Sequence, residues 1–361
     1  MPDEPCSVPV TCVMLSAGRG GLERSLLDDA AALLEAGHPV SAVVHPDWPD
    51  RPLLERLGVH PALLRSLNEW DPIAMLRLRR SLRSRDPAVV LSIGRRAGRL
   101  CRRALRRLPR IGQIARAHNY GVDHLVGLDH VIATTEDLRR AVLAAGQPAL
   151  RTSVVPCLVR VPDGSAPRAP DPARLPVIGL MGRFVPKKGF ADAIEALARL
   201  CHSGHDFEVR IGGAGPGKAA LRALVADHRL TDRVRFLGWI DDRRAFLHEL
   251  DIFCVPSLHE PFGIVVLEGM AHGVAVVATD AEGPREILSH GRDGLLVPRG
   301  NPEALAGALA YLIEHPERRH ALAHAGLETA RRRFDLPVVA PQLSALVLDV
   351  ARRRAEAFSA P

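Results

Sequence analysis

The chain has 361 residues, of which 47% are hydrophobic and 25% are charged, a balance that is ordinary for a soluble globular protein. This length exceeds that of one usual core, so we expect two domains of roughly 150–200 residues each. No apolar run approaches the ~18–20 residues that a membrane-spanning helix needs, and the acidic, proline-containing start at residues 1–5 does not resemble a secretory signal. The six cysteines are scattered without a C-x-x-C pair, which argues against a zinc site or a disulfide framework and favours a cytoplasmic location.

The first half alternates short β-branched runs with amphipathic stretches, a pattern typical of doubly wound α/β domains. It predicts helices at 22–36 and 136–145 and strands at 8–15, 40–45, 89–93, 111–117 and 131–133.

A glycine turn at 16–23 follows the first predicted strand. Gly20 and Gly21 let the backbone approach an anion, and the free N–H groups of the following helix point towards that anion. A dinucleotide-binding fingerprint needs a glycine where Glu23 stands. The turn is therefore either a general phosphate-binding turn or a plain tight connection.

The net charge of +7 is concentrated between Arg77 and Arg110, where a dense run of arginines faces a single acidic residue, Asp86. Such a run attracts polyanions or anionic lipid headgroups, and the alternative is a solvated pair of helices. Nucleic acid is disfavoured as a partner, because aromatic residues make up only 4% of the chain and none interrupts the run to stack on bases.

The composition changes at 161–176, where the density of proline excludes both a helix and a central strand. A second α/β pattern follows, with helices predicted at 191–202 and 218–228 and strands at 177–181, 207–211, 234–237, 252–256 and 274–278. We therefore predict a first domain at 1–162, a linker at 163–176, a second domain at 177–335, and a C-terminal segment at 336–361 whose helix packs back towards the first domain. In such proteins, ligands bind at the carboxyl ends of the strands, here in a cleft between the two domains.

Two loops of the second half contain phosphate-binding signals. Arg183 and Lys188 lie in the loop after the strand at 177–181, where two cations could clamp a diphosphate, although a solvated basic loop is the alternative. The segment 212–219 nearly spells a Walker A loop, but Ala219 replaces the hydroxyl that binds magnesium. Pro216 also removes a backbone donor, so a nucleoside triphosphatase is disfavoured.

The most specific segment is 257–268, which contains Glu260 and Glu268 eight residues apart. Pro261 suits the first turn of a helix, so Glu260 is predicted in the turn at a strand end and Glu268 about two helical turns further on. A carboxylate accepts hydrogen bonds from two hydroxyls at once, which suits sugar and ribose rings.

These signals, in this order, resemble the nucleotide-binding domain of the GT-B retaining glycosyltransferases of family 4, also called glycosyl transferases group 1. The resemblance covers nearly all of 177–310, and the matching segments are 182–189, 213–216, 260–268, 283–287 and 291–297. The first half matches more loosely, through 20–23 and His118. The resemblance implies an α/β GT-B fold, with two doubly wound Rossmann-like domains that face each other across a cleft.

The resemblance also implies a role for each matching residue. Arg183 and Lys188 would hold the donor diphosphate, and Glu268 would bind the ribose hydroxyls. Glu260 and His118 complete the expected catalytic group, Glu260 on the donor sugar and His118 close to the sugar and the acceptor. For His118 a buried structural histidine is the alternative. The remaining residues expected to contact the donor are Gly20, Gly21, Gly182, Gly213, Gly215, Phe262 and Gly263.

The activity implied is that of a hexosyltransferase-like enzyme that moves a sugar from a nucleotide-sugar donor, most commonly a UDP-sugar, to a glycan or lipid-linked acceptor. Neither a metal nor a cofactor is expected, and the chain lacks the D-x-D motif of metal-dependent enzymes. Retention could arise from double displacement, which needs a carboxylate nucleophile under the anomeric carbon, but the resemblance implies front-face attack instead. A role in envelope polysaccharide or lipopolysaccharide synthesis, with the arginine run in peripheral contact with the inner membrane face, would fit this activity.

Three other interpretations of the sequence remain at this point. The chain could be a degenerate, non-catalytic nucleotide-sugar-binding protein of the same fold. It could also be a nucleotide-sugar epimerase, or a phosphorylase-like GT-B enzyme, which would need a lysine that binds pyridoxal phosphate.

Overall fold

The computed structural model describes residues 7–171 and 173–359, so the predicted absence of a signal at residues 1–5 concerns residues outside this description. The chain forms two compact units. The first comprises the described residues up to Leu158 together with the segment that begins at Leu336, and the second extends from Val159 to Asp335. The proline-rich segment 163–176 thus belongs to the second unit, and the C-terminal helix belongs to the first.

The first unit is built on a seven-stranded parallel sheet with the order β3-β2-β1-β4-β5-β6-β7. Its strands are β1 (Val10–Met14), β2 (Val40–Val44), β3 (Ala62–Leu63), β4 (Val89–Ile93), β5 (Gly112–Ala117), β6 (His130–Ala133) and β7 (Thr152–Val154). Its helices are α1 (Gly21–Glu35), α2 (Arg51–Arg56), α3 (Pro72–Arg85), α4 (Arg95–Leu105), α5 (Glu136–Ala144) and the C-terminal α13 (Leu336–Ser359). The central strands β1 and β4 are buried along their whole length, as expected for parallel strands covered on both faces.

Local signals explain where several helices of this unit begin. The Asp71 carboxylate accepts hydrogen bonds from the amides of Ile73 (3.0 Å) and Ala74 (2.9 Å), and Pro72 occupies the first turn of α3. Thr135 caps α5 in the same way. The apolar face of α13 packs beside α1 in the core that contains β1, so the two ends of the chain stabilise one unit.

The second unit is built on a six-stranded parallel sheet with the order β10-β9-β8-β11-β12-β13. Its strands are β8 (Val177–Met181), β9 (Glu208–Gly212), β10 (Val234–Gly238), β11 (Ile252–Val255), β12 (Ala275–Thr279) and β13 (Leu295–Val297). Its helices are α6 (Phe190–His202), α7 (Lys218–Asp227), α8 (Arg243–His248), α9 (Ile264–Ala271), α10 (Pro284–Ile287), α11 (Pro302–Glu314) and α12 (Pro316–Arg333). Among the largest fully buried side chains of the molecule are Phe184, Phe207 and Phe253 of this unit.

The prediction of two doubly wound α/β folds is confirmed. In the part of the chain that the structure describes, no helix combines the length and hydropathy needed to cross a membrane. Within the same residues, no cluster of three or more histidine, cysteine or acidic side chains is arranged to hold a metal ion.

Candidate functional site

Arg183 and Lys188 lie in the loop that joins β8 to α6, at the carboxyl end of a central strand. The Lys188 ammonium group forms an ion pair with the Glu260 carboxylate, and both side chains are largely buried. Arg183 is exposed, and no hydrogen bond or ion pair links its side chain to another described residue. The buried Phe184 ring, packed edge-on against Phe190 at 5.1 Å, holds the loop in place. This loop therefore presents one open cation beside one that is already paired.

The predicted glycines Gly182, Gly213 and Gly215 lie where this loop meets the loop after β9. Gly213 has a φ of 140°, and a Cβ atom there would lie 1.9 Å from the Gly182 carbonyl oxygen. At Gly215, with a φ of 152°, a Cβ atom would lie 2.8 Å from the backbone of Phe184. The Phe184 amide donates to the Ala214 carbonyl at 2.9 Å. These glycines thus permit close packing between two backbones. The segment 212–219, which resembles a Walker A loop, packs against the loop between β8 and α6.

The turn between β11 and α9 positions Glu260. Its carboxylate accepts hydrogen bonds from Lys188 and from the Ser257 hydroxyl (3.3 Å). Gly263, with a φ of 100°, immediately precedes α9, and the Gly283 amide donates to the Glu260 carbonyl at 2.7 Å. A Cβ atom at Gly283 would lie 1.8 Å from the carbonyl oxygen of the buried Phe262. The turn is therefore held by a backbone hydrogen bond and close packing against Gly283, the residue that precedes α10.

Glu282 supports this turn and was missed by the sequence analysis. Its carboxylate accepts hydrogen bonds from the Glu260 amide (3.1 Å) and from the Arg299 guanidinium (2.8 Å). Burial by itself raises the pKa of Glu282, but these hydrogen bonds and the Arg299 charge outweigh burial and hold the pKa at about 2. No sequence motif indicates this residue, because its partners lie 22 and 17 positions away.

Glu268 lies on α9 and is only 7% exposed. One carboxylate oxygen, Oε1, forms an ion pair with Arg243 at the start of α8, a residue that the sequence analysis also missed. The other oxygen, Oε2, is buried and has no hydrogen-bond partner among the described residues. Because an unsatisfied buried acceptor costs about 1–3 kcal/mol, this oxygen is suited to accept a hydrogen bond from a ligand.

In the first unit, Gly20 and Gly21 stand at the start of α1 as predicted for an anion-binding turn. The Glu23 carboxylate folds back into this turn, where it accepts a hydrogen bond from the Ser16 hydroxyl at 2.5 Å. A Cβ atom at Gly20 would lie 3.2 Å from the same carboxylate. Glu23 therefore replaces the third glycine of a dinucleotide fingerprint with a side chain that belongs to the structure of the turn.

His118 directly follows β5 and is half-buried. Its Nε2 atom is buried without a hydrogen-bond partner among the described residues. Burial, and secondarily the Arg116 charge, lower the pKa of His118 to about 3, so the imidazole is neutral at ordinary pH. The open Nε2 can form a hydrogen bond with a ligand.

Arg116, two residues before His118, is held by a buried ion pair that the sequence did not predict. Its guanidinium donates two hydrogen bonds to the Asp29 carboxylate of α1, at 2.9 and 2.6 Å, and one to the Val155 carbonyl at 2.8 Å. The two charged side chains are 1% and 5% exposed. This pair ties α1 to β5, the strand that His118 follows.

The arginine run forms the packed helices α3 and α4, and many of its side chains are satisfied within the unit. Arg79 donates to the Ala104 carbonyl at 3.2 Å, and the guanidinium groups of Arg99 and Arg103 lie over the Trp70 ring. On the outer face of α3, however, Arg77, Arg80 and Arg83 are exposed and form no salt bridge with described residues. Only part of the run therefore remains for an external partner.

In the second unit, the loop that carries Arg183 and Lys188 adjoins the turn that carries Glu260, and Glu268 follows on α9. Together with two doubly wound parallel sheets, these features are those of a GT-B glycosyltransferase. Family comparisons agree. The model described as "Glycosyl transferases group 1" matches residues 167–329, and the model described as "Glycosyltransferase Family 4" matches residues 19–161. The chain belongs to glycosyltransferase family 4 and is a glycosyltransferase.

Two relatives indicate the range of this similarity. The chain is 31% identical over 320 residues to the lipopolysaccharide core biosynthesis glycosyltransferase LpsE of Rhizobium meliloti (strain 1021), covering 87% of this chain and 92% of that protein. It is 36% identical over 205 residues to the phosphatidyl-myo-inositol mannosyltransferase of Mycobacterium leprae, covering 54% of each chain.

Solved structures share the fold at lower identity. Anabaena Alr3699/HepE, crystallised with UDP and glucose, superposes with a TM-score of 0.78 at 22% identity, covering 98% of this chain and 99% of that one. A glycosyltransferase from Rickettsia africae superposes with a TM-score of 0.82 at 18% identity, covering 95% of this chain and 98% of that one.

Proposed function

We propose that this glycosyltransferase transfers a sugar from a UDP-sugar to a lipid-linked or glycan acceptor of the cell envelope, with retention of the anomeric configuration. The observation that carries the donor assignment is the juxtaposition of Lys188 with Glu260, with the open Arg183 cation on the same loop. The buried, open oxygen of Glu268 adds an acceptor suited to a ribose hydroxyl. The names of the relatives, which refer to a lipopolysaccharide core and to phosphatidyl-myo-inositol, support a lipid-linked acceptor.

In this proposal, Arg183 and Lys188 bind the donor diphosphate, and no metal ion or cofactor is needed. The bond between the anomeric carbon and the diphosphate oxygen breaks while the acceptor oxygen attacks from the same face. The acceptor proton passes to the departing diphosphate. Since negative charge grows on the diphosphate, the two cations stabilise the transition state more than the ground state.

The ion pair with Glu260 gives Lys188 a fixed position before the donor binds. A cation that is already oriented does not have to reorganise as charge develops, which is the general advantage of a preorganised site. The neutral His118 would donate or accept a hydrogen bond near the sugar and the acceptor without adding a positive charge.

A thermal-shift screen tests the donor assignment. Wild type and Glu268→Ala are heated with UDP-, GDP- and ADP-sugars in the presence of a chelator. A ligand that binds only the folded state raises the melting temperature by mass action, so UDP-sugars should stabilise the wild type and not the variant. No shift with any nucleotide would contradict the donor site and favour a non-catalytic role.

The stereochemical proposal has a separate test. The anomeric configuration of the first product formed is read by NMR, with a soluble analogue of the lipid-linked acceptor as substrate. Retention is expected, and an inverted product would eliminate front-face attack.

We also propose that α3 makes peripheral contact with the anionic inner face of a membrane, which would bring the enzyme to a lipid-linked acceptor. Ile73 and Leu76 are 62% and 55% exposed and lie at helical spacing with the open Arg80 and Arg83, so one face of α3 combines apolar and cationic side chains. Each arginine near such a surface contributes about 1 kcal/mol. Binding to vesicles with and without anionic lipid should therefore fall in an Arg80→Ser, Arg83→Ser variant, and unchanged binding would contradict this contact.

A further inference from the structure

The ion pair between Arg243 and Glu268 has no assigned role in the activity proposed above. Arg243 is the first residue of α8, and its guanidinium binds Oε1 of Glu268. The second oxygen, Oε2, is buried without a partner within residues 7–171 and 173–359. One oxygen of this carboxylate is thus committed, and the other is available.

Both backbones that carry this pair are firmly held. In α8, the Asp242 carboxylate caps the helix through the Ala245 amide at 2.9 Å, and Leu247 is fully buried. In α9, a Cβ atom at Gly269 would lie 2.7 Å from the Phe253 ring, so the helix packs tightly against β11. The direction in which Oε2 points is therefore set before any ligand arrives.

We propose that Arg243 is a positioning residue that orients Glu268 towards one ribose hydroxyl of the donor and thereby makes the site select ribonucleotides over deoxyribonucleotides. The inference rests on the proposed function, which assigns Glu268 to the ribose. An arginine suits this role because its guanidinium donates to Oε1 from a rigid planar frame, whereas a lysine ammonium group acts as a point charge on a flexible stem. Without Arg243, the carboxylate would be free to rotate and would lose its preference for a hydroxyl at one position.

The test is isothermal titration calorimetry of the full chain with UDP, 2′-deoxy-UDP and 3′-deoxy-UDP. The variants are Arg243→Gln, Arg243→Lys and a matched control, Arg244→Gln, which changes the neighbouring exposed arginine of the same helix. Wild type and the control should bind at least one deoxy analogue about 10–100-fold more weakly than UDP, the ratio expected for loss of a hydrogen bond to a charged group. In Arg243→Gln, UDP should bind more weakly, so that its Kd differs from that of the deoxy analogue by about threefold or less.

Transfer kinetics give a second measurement. Because the ribose is distant from the bond that breaks, Arg243→Gln should raise KM for the donor and leave kcat nearly unchanged. Arg243→Lys should lose most of the ribose preference, and a full wild-type ratio in this variant would overturn orientation by the guanidinium.

Two other results would also overturn the inference. An Arg243→Gln variant with the wild-type ratio would make the pair an ordinary surface contact, and a wild type that binds UDP and both analogues equally would remove Glu268 from the ribose. Failure of the proposed function is distinguishable from both, because the wild type would then bind no nucleoside diphosphate, including GDP and ADP. Circular dichroism of each variant establishes that it is folded.

Discussion

The two units share one architecture but fix their functional side chains in different ways. In the second unit, Lys188 and Glu260 lie on short loops whose shape is set by glycines in close backbone contact. In the first unit, His118 follows β5, the strand that a buried ion pair between Asp29 and Arg116 joins to α1 across 87 positions of the chain. Local backbone geometry therefore holds the candidate residues of the second unit, whereas in the first unit a long-range ion pair holds the strand that precedes His118.

The largest expected effect comes from breaking the contact in the first unit. Asp29→Asn leaves the Arg116 charge buried without its partner, which should lower the free energy of unfolding by about 3–5 kcal/mol. Urea unfolding followed by tryptophan fluorescence measures this change. The control is Glu55→Gln, which removes an exposed pair with Arg51 and should cost less than about 1 kcal/mol. Equal losses in the free energy of unfolding of the two variants would contradict the conclusion that the buried pair stabilises the first unit more than an exposed one.

The second effect tests the open cation of the second unit. Arg183→Ala should reduce kcat about 10²–10³-fold with an unchanged melting temperature, because in the proposed mechanism Arg183 stabilises developing charge and its exposed side chain supports no packing. Lys187→Ala, at an exposed position of the same loop, is the matched control and should retain activity. If Arg183→Ala changes KM alone, its role is binding and not transition-state stabilisation.

A third prediction concerns acid stability in the first unit. The folded pKa of His118 is about 3, below the unfolded value of 6.5, so the unfolded state binds the proton first. The stability that the neutral ring contributes is fully present above pH 6.5 and is lost as the pH falls towards 3, at about 1.4 kcal/mol per pH unit. His118→Asn should remove this dependence, which unfolding curves at pH 7, 6 and 5 will reveal. Parallel pH dependence in the two proteins would refute it.

The smallest expected effect is the loss of acid stability in the second unit, which depends on Glu282 and begins at a lower pH than the loss through His118. The pKa of Glu282 is about 2 in the folded protein and 4.5 in the unfolded chain. Its stabilising contribution is therefore present above pH 4.5 and lost as the pH falls towards 2. Glu282→Gln should be less stable than wild type at pH 7, and the difference should shrink between pH 4.5 and pH 2.5. A difference that stays constant over this range would exclude titration of Glu282 as the cause.

Much of the fold was predictable because the sequences of buried parallel strands are short continuous runs of apolar, often β-branched, residues. Residues 89–93 and 177–181 were located without error, and the other predicted strands lie within two residues of the observed bounds. The three strands that were not predicted, β3, β7 and β13, have only two, three and three residues and are too short to give such a signal. The prediction that Pro261 occupies the first turn of a helix is wrong, because α9 begins at Ile264, after Gly263, and Pro261 lies in the preceding turn.

The remaining site residues could not be predicted in this way. Arg243, Glu282 and Arg116 act through partners 25, 22 and 87 positions away, and a lone charged residue in the sequence does not indicate its partner. The arginine run shows the same limit, because its sequence does not indicate which guanidinium groups turn inwards to carbonyl oxygens and which remain exposed. Long-range pairing has to be seen in three dimensions.

Gly189 has a further consequence for how this enzyme could change its specificity. Its φ is 66°, and a Cβ atom there would lie 1.9 Å from the Pro256 carbonyl oxygen, so the two loops touch with no room for a methyl group. In the proposed function, the loop of Lys188 binds the diphosphate of the donor and the turn of Glu260 binds its sugar. The contact at Gly189 therefore couples the positions of these two segments. A mutational library designed to accept a new sugar should therefore keep Gly189 and vary only side chains around Glu260. A substitution at Gly189 would displace the diphosphate-binding loop and the sugar-binding turn together.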